Sequence, residues 1–290
     1  LAEPGSVAAR GLESRRAEAL GATLPPLLAA AERIAATVSQ GVHGRRRAGQ
    51  GESFWQFRPL ADGDTAARID WRQSGKTDRA YVRETEREAA QTIFLWRDGS
   101  PAMQWKSRHA TAAKLERAEL LLLALASLLL RGGERVALLG SGERPVSGRA
   151  GLQRLAASLG SGGPDLPPDA PVPRHAHVVL FSDFLHPLPD IQATVGRLAG
   201  APAVGHLVQV LDPAELDLPY SGRVRFTGLG REAHEVVPRV EAVRGAYARR
   251  LEAQQEGVAA ICRAAGWSSA THRTDHAPET ALLALHQALA

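Results

Sequence analysis

The chain has 290 residues, 44% hydrophobic and 23% charged, with a net charge of +4. That length carries one large or two modest domains around a buried core, and the balance of apolar and charged residues excludes a mostly disordered chain. A single cysteine, Cys262, excludes an intrachain disulfide framework and no Cys/His spacing of the zinc-finger type occurs, which fits a reducing, cytoplasmic setting.

The basic side is almost wholly arginine: Lys76, Lys106 and Lys114 are the only lysines. The pI near 9.7 therefore reads as compositional bias rather than as a phosphate-binding surface. The most apolar run, Leu120 to Leu130, is interrupted by Ser127 and bounded by Glu119 and Arg131, short of the roughly 20 residues that cross a bilayer. No stretch reads as a membrane anchor or signal peptide.

In chain order, residues 1–24 lack a sustained pattern. Pro25-Pro26 opens a predicted helix from Leu27 to about Gln40, with Leu27, Leu28, Ala31, Ile34, Ala35 and Val38 repeating at three and four. Gly41 to Gly51, with Arg45-Arg46-Arg47, reads as an exposed loop. Residues 52–88 are polar and studded with Phe54, Trp55, Phe57, Trp71 and Tyr81; short strands are predicted at Phe54 and around Tyr81-Val82-Arg83, with a turn at Asp62-Gly63-Asp64.

Beyond Glu88 the pattern alternates. Strands are predicted at Thr92–Trp96, Arg135–Leu139, Val178–Phe181, Gly205–Val210 and near Ser269–His272, and helices at 108–131, 150–159, 188–199, 239–265 and 278–289. Strands alternating with helices make βαβ units and a mostly parallel sheet covered on both faces, an α/β fold. The expected organisation is a helical segment over 1–40, a small irregular lobe with short strands over 41–88 and the α/β domain over 89–290. A Gly/Pro-rich loop over Gly160 to Pro173 precedes the Val178 strand.

In such a sheet ligands sit beyond the carboxyl ends of the strands, where strand order reverses. Asp98 and Ser100 follow one strand and Asp183 another. They are hard oxygen ligands able to converge on Mg²⁺, or residues that cap the following helices through backbone N–H groups. Arg68-Ile69-Asp70-Trp71 reads as an architectural clamp with Ile69 and Trp71 buried. No Gly-x-Ser-x-Gly elbow, P-loop or Gly-x-Gly-x-x-Gly turn is present. The pairs His175/His177 and His272/His276 read as ordinary histidines and Cys262 as a buried, inert thiol. Residues 51–88 carry eight acids against seven bases, which argues against a phosphate-tracking groove built on Arg45–Arg47, Trp55, Phe57 and Arg58.

Asp98-x-Ser100 and Ser182-Asp183 resemble the metal-ion-dependent adhesion site of von Willebrand factor A domains, with Ala102 where a second serine is expected. Upstream, Gly41-x-His43, Gly49-x-Gly51-Glu52-x-Phe54, Arg58-x-Leu60-x-x-Gly63-Asp64, Arg68-Ile69-Asp70-Trp71, Ser74-x-Lys76, Tyr81-Val82-Arg83 and Glu86-x-Glu88 resemble the domain-of-unknown-function-58 family. The resemblance implies a von Willebrand A-like (Rossmann-like) domain with a degenerate adhesion site at Asp98, Ser100 and Asp183 that holds Mg²⁺ weakly if at all. It also implies a partner surface that includes Arg58, Asp64, Arg68, Asp70, Trp71 and Arg83, and a non-catalytic adaptor role beside a MoxR-type AAA+ ATPase in assembly or maturation of client proteins. The competing expectations are a metal-dependent hydrolase using Asp98 and Asp183, and a nucleic-acid-binding protein.

Overall fold

The structure, a computed structural model, describes residues 25–40, 53–60, 69–76, 79–86, 90–160, 162–200, 203–228 and 234–289. Helix α1 spans 25–40, with Pro25 and Pro26 in its first turn, where a missing N–H costs nothing. It buries Ala31, Ile34, Ala35 and Val38, the apolar stripe read from the sequence, and belongs to the same compact unit as residues 91–290.

Residues 41–90 form a second compact unit. Strands β1 (Ser53–Pro59) and β2 (Tyr81–Glu86) pair antiparallel, Arg58 opposite Val82 and Phe57 opposite Arg83, with an irregularity between Phe54 and Gln56. Between them lies a one-turn helix α2 (Trp71–Ser74). The amide of Asp70 donates to Tyr81 O, Ser74 Oγ donates to Asp70 O, and the amide of Tyr81 donates back to Ser74 Oγ. This hydroxyl-centred knot, rather than an indole, anchors the turn. Trp71 is 70% exposed, which corrects the expectation that it buries; Ile69 is half-buried. Asp64, Arg68 and the Gly41–Gly51 segment lie outside the described residues.

The larger unit is built on strands β3 (Thr92–Arg97), β4 (Arg135–Leu138), β5 (His177–Ser182), β6 (Val204–Leu211) and β9 (Ser268–Arg273), all parallel in the order β4-β3-β5-β6-β9. Helices α4 (Arg149–Ser158) and α8 (Pro278–Leu289) each pack against α3 (Lys114–Arg131), and α5 (Leu188–Ala199) packs against α7 (Val240–Ala264). Successive side chains point to opposite faces. Trp96, Val178, Leu180 and Leu207 meet Ile191, Val195, Val258 and Cys262 of α5 and α7. The intervening Ile93, Leu95, Val179 and Phe181 are equally buried, so the strands read as unbroken apolar runs because both faces are covered.

Gly205 shows how tightly one face is closed. A Cβ there would lie 1.9 Å from the Trp267 ring, so only glycine lets that indole lie flat on β6. Two features lie outside the sequence reading: a short helix α6 (Pro213–Asp217) and a hairpin of β7 (Val224–Phe226) and β8 (Glu235–Val237). No helix among the described residues is long and apolar enough to cross a membrane.

Candidate functional site

Strand order reverses between β3 and β5: the chain leaves β3 for β4 on one side and returns to β5 on the other. The crevice beyond their carboxyl ends is where an open α/β sheet binds ligands. Register places Arg97 opposite Phe181, and the amide of Asp98 donates to Phe181 O at 2.8 Å. Asp98 is thereby clamped beside Ser182, and Asp183 follows one residue on.

The structure brings Asp98, Ser100 and Asp183 to this one place, all of them buried. The amide of Ser100 donates to Asp98 Oδ1 at 2.8 Å and Ser182 Oγ donates to Asp98 Oδ2 at 2.8 Å. Asp183 Oδ1 accepts from the amide of Leu185. Neither aspartate caps a helix: α5 starts only at Leu188, and Ser100 holds the cap position of the 3-10 turn Pro101–Gln104. Both carboxylates instead close turns onto an amide two residues on. Burial pushes the Asp98 carboxyl above its ordinary range, the Ser100 and Ser182 donors oppose that, and the neighbouring Asp183 charge adds to it.

The second oxygen of Asp183 carries a partner that sequence reasoning missed. Lys114, the first residue of α3, places Nζ 2.8 Å from Asp183 Oδ2 and 2.5 Å from Glu215 Oε1, and is only 1% exposed. Glu215 Oε2 accepts from the amide of Asp212, which in turn caps α6 by accepting from the amide of Ala214. Asp212 Oδ2 also accepts from the amide of Ser107, and Tyr247 Oη donates to Glu215 O at 2.6 Å. Burial alone would lower the Lys114 ammonium, but the Asp183 and Glu215 carboxylates outweigh it and hold it above its ordinary value. Burial raises the Glu215 carboxyl against the pull of Lys114, and with Glu215 alongside it pushes the Tyr247 phenol up to about 12.

As arranged, these residues do not fit a divalent cation. Every carboxylate oxygen of Asp98, Asp183 and Glu215 already accepts a hydrogen bond from the protein. Ala102, also in the cleft lining, supplies a methyl and no oxygen ligand. Of the side-chain oxygens of Asp98, Ser100, Asp183 and Glu215, Ser100 Oγ alone is buried without a hydrogen-bond partner, and one neutral oxygen is far from the near-octahedral set that Mg²⁺ demands. Among the described residues no group of three His, Cys, Asp or Glu could hold a metal.

Above this lock opens a cleft of about 1020 Å³. Its walls come from the loops after β3, β5 and β6, the β7 strand and α7, with Trp105, Leu185, Tyr220, Phe226 and Tyr247 among the lining side chains. The loop after α4 is latched beside it. Arg97, 5% exposed, donates to Leu159 O, Gly160 O and Gly162 O and pairs with Glu119 at 3.0 Å. Gly99 is required there, since a Cβ would meet Gly163 N at 2.3 Å.

The histidine pairs form no cluster of their own. His177 stacks on His206 at 6.0 Å instead of acting with His175, and His272 and His276 line a separate groove against α8. Cys262 is fully buried, its thiol pushed up to about 11 by burial, as an inert core thiol should be.

A family model described as a protein of unknown function, DUF58, matches residues 56–257. The chain belongs to the DUF58 family. That match covers well over half of the chain, from β1 into α7, and includes Asp98, Lys114, Asp183, Glu215 and Tyr247. None of the curated proteins matches this DUF58 chain significantly. Lys114 carried one signal in the sequence: it is one of three lysines against thirty-two arginines. Glu215 carried another, since Asp212-Pro213-Ala214-Glu215 has the spacing of a capping box. Tyr247 carried none.

Proposed function

We propose that this DUF58 chain is a non-catalytic docking protein that engages a MoxR-type AAA+ ATPase in the assembly or maturation of client proteins, from the cytoplasm. The observation that carries the reading is the character of the cleft at the switch point. Its buried charges, Lys114, Asp183 and Glu215, are bonded to one another and His186 pairs with Asp165, while its accessible walls carry aromatic and aliphatic side chains beside Arg225, including a 41% exposed Leu185. Aromatic and aliphatic anchors ringed by satisfied polar groups are the composition of a protein-binding surface. A catalytic site would need a nucleophile or base free to exchange a proton with substrate, whereas Asp98, Asp183, Glu215 and Lys114 are held in internal bonds.

The nature of the partner follows from the family resemblance, carried by the Gly41–Glu88 segment. A von Willebrand A-like reading of the larger unit is supported by Asp98-x-Ser100 at the end of β3 and Ser182-Asp183 at the end of β5. Affinity purification of the tagged chain from its native host, with and without ATP, tests the proposal. An AAA+ ATPase should co-purify with the wild type and be reduced at least about tenfold by Leu185→Glu, which places a charge on the apolar rim. Absence of an AAA+ ATPase under both conditions overturns the reading.

A further inference from the structure

The cleft floor holds a positive charge that belongs to the polypeptide. We propose that Lys114 is a built-in cation at the carboxyl end of the sheet, standing where a divalent metal would otherwise neutralise the β5 carboxylate, so that the site is complete without metal.

Three observations converge on this. The ammonium bonds to Asp183 Oδ2 and Glu215 Oε1, carboxylates brought from β5 and α6. A divalent ion bound to the same Asp183 oxygen would lie against a cation already in place. Second, the position itself disfavours a lysine. Lys114 opens α3, and a helix N-terminus repels cations, so the helix gives no reason for the charge while the two carboxylates do. Third, the residue type is selective. Lys76 and Lys106 are exposed and Lys114 alone among the lysines is buried, in a chain that otherwise uses arginine. A compact ammonium on a flexible stem fits between two converging carboxylates, where a planar guanidinium fork requires a wider, flatter partner. Asp98 and Ser100 complete the floor without touching the ammonium directly: Asp98 is spoken for by Ser100 and Ser182.

The Lys114 ammonium and its two carboxylates form this arrangement whatever docks in the cleft. The test uses the full chain, freed of metal with EDTA, and MnCl₂ as the probe, read by thermal unfolding and by Mn²⁺ electron paramagnetic resonance. The wild type should unfold at the same temperature in EDTA and in millimolar MnCl₂ and show no saturable Mn²⁺ binding. Lys114→Ala should lower the midpoint in EDTA by roughly 5 °C or more, because it strands two buried carboxylates. It should also recover part of that loss in MnCl₂, with Mn²⁺ binding that a further Asp183→Asn removes. Saturable binding by the wild type that Asp98→Asn abolishes overturns the proposal, as does a folded Lys114→Ala protein that ignores Mn²⁺. If Lys114→Ala does not fold, Lys114→Gln replaces it, and the wild-type titration decides on its own.

Discussion

Asp98 is the most enclosed carboxylate of the switch point, 0% exposed and bonded at both oxygens. Because burial raises its folded pKa, the folded chain binds the proton more tightly than the unfolded one. The contribution to stability is full below the unfolded value near 3.8 and is lost as pH rises through the folded value. Asp98→Asn keeps an acceptor for the Ser100 amide and can donate to Ser182 Oγ. It should change the unfolding free energy at pH 7 by no more than about 1 kcal/mol, and wild type should gain on the variant as the pH falls toward 4. Urea unfolding of both proteins at pH 7 and pH 4.5 checks this; a wild type that loses ground to the variant at the lower pH would contradict it. Asp98, Ser100 and Asp183 were legible in the sequence because each closes a strand, a position local pattern can find. Lys114 was not, because its partners lie 69 and 101 residues away and only the folded chain brings them together. Trp71 misled for the opposite reason: a tryptophan in a tight motif reads as core, yet Ser74 holds that turn.

At the scale of elements, the five parallel strands and the helices α4, α5, α7 and α8 fall within a residue or two of the periodicity that announced them. The exceptions have local causes. Helix α3 begins at Lys114 rather than 108, because residues 105–113 form a loop whose amides are drawn elsewhere, Ser107 to Asp212 and Ala113 to the Glu116 carboxylate. β7 and β8 are three residues each, too short for an alternation to register. The Gly/Pro-rich loop after α4 was visible as a loop, but its latch was not, since Arg97 reads as the polar end of a strand. Arg97→Met removes three carbonyl bonds and leaves Glu119, 18% exposed, without its cation. Losing one partner of a largely buried pair costs about 3 kcal/mol. Chemical denaturation should show that loss, and limited proteolysis should show new cleavage between Leu159 and Pro168 while the wild type resists.

For the molecule as a whole, acid is the stress that the buried histidines make specific. His206 and His272 are 3% and 5% exposed, and burial lowers each to about 4, with His177 adding to the effect at His206 and Arg117 at His272. Both rings stay neutral in the fold, and Nε2 of each is buried without a hydrogen-bond partner. The unfolded chain therefore takes the proton first: stability is whole above about 6.5 and falls as the pH drops to 4, by up to about 3 kcal/mol per ring. The raised carboxyls of Asp98, Glu119 and Glu215 act in the opposite sense over part of that range, so the measurement is a comparison with His206→Gln and His272→Gln. Each variant should unfold with a shallower dependence on pH between 6.5 and 4 than the wild type. A slope unchanged in both variants would remove the histidines from the account.

The reach of Lys114 also says something about how the chain is made. Its side chain leaves the ribosome well before its two counter-ions do, Asp183 after 69 further residues and Glu215 after 101. At about 5–20 residues per second, the ammonium waits several seconds or longer for its second carboxylate. A nascent chain released between α5 and α6 holds the Lys114–Asp183 half of the lock and lacks the Glu215 half, so the floor of the cleft closes only once α6 has been made.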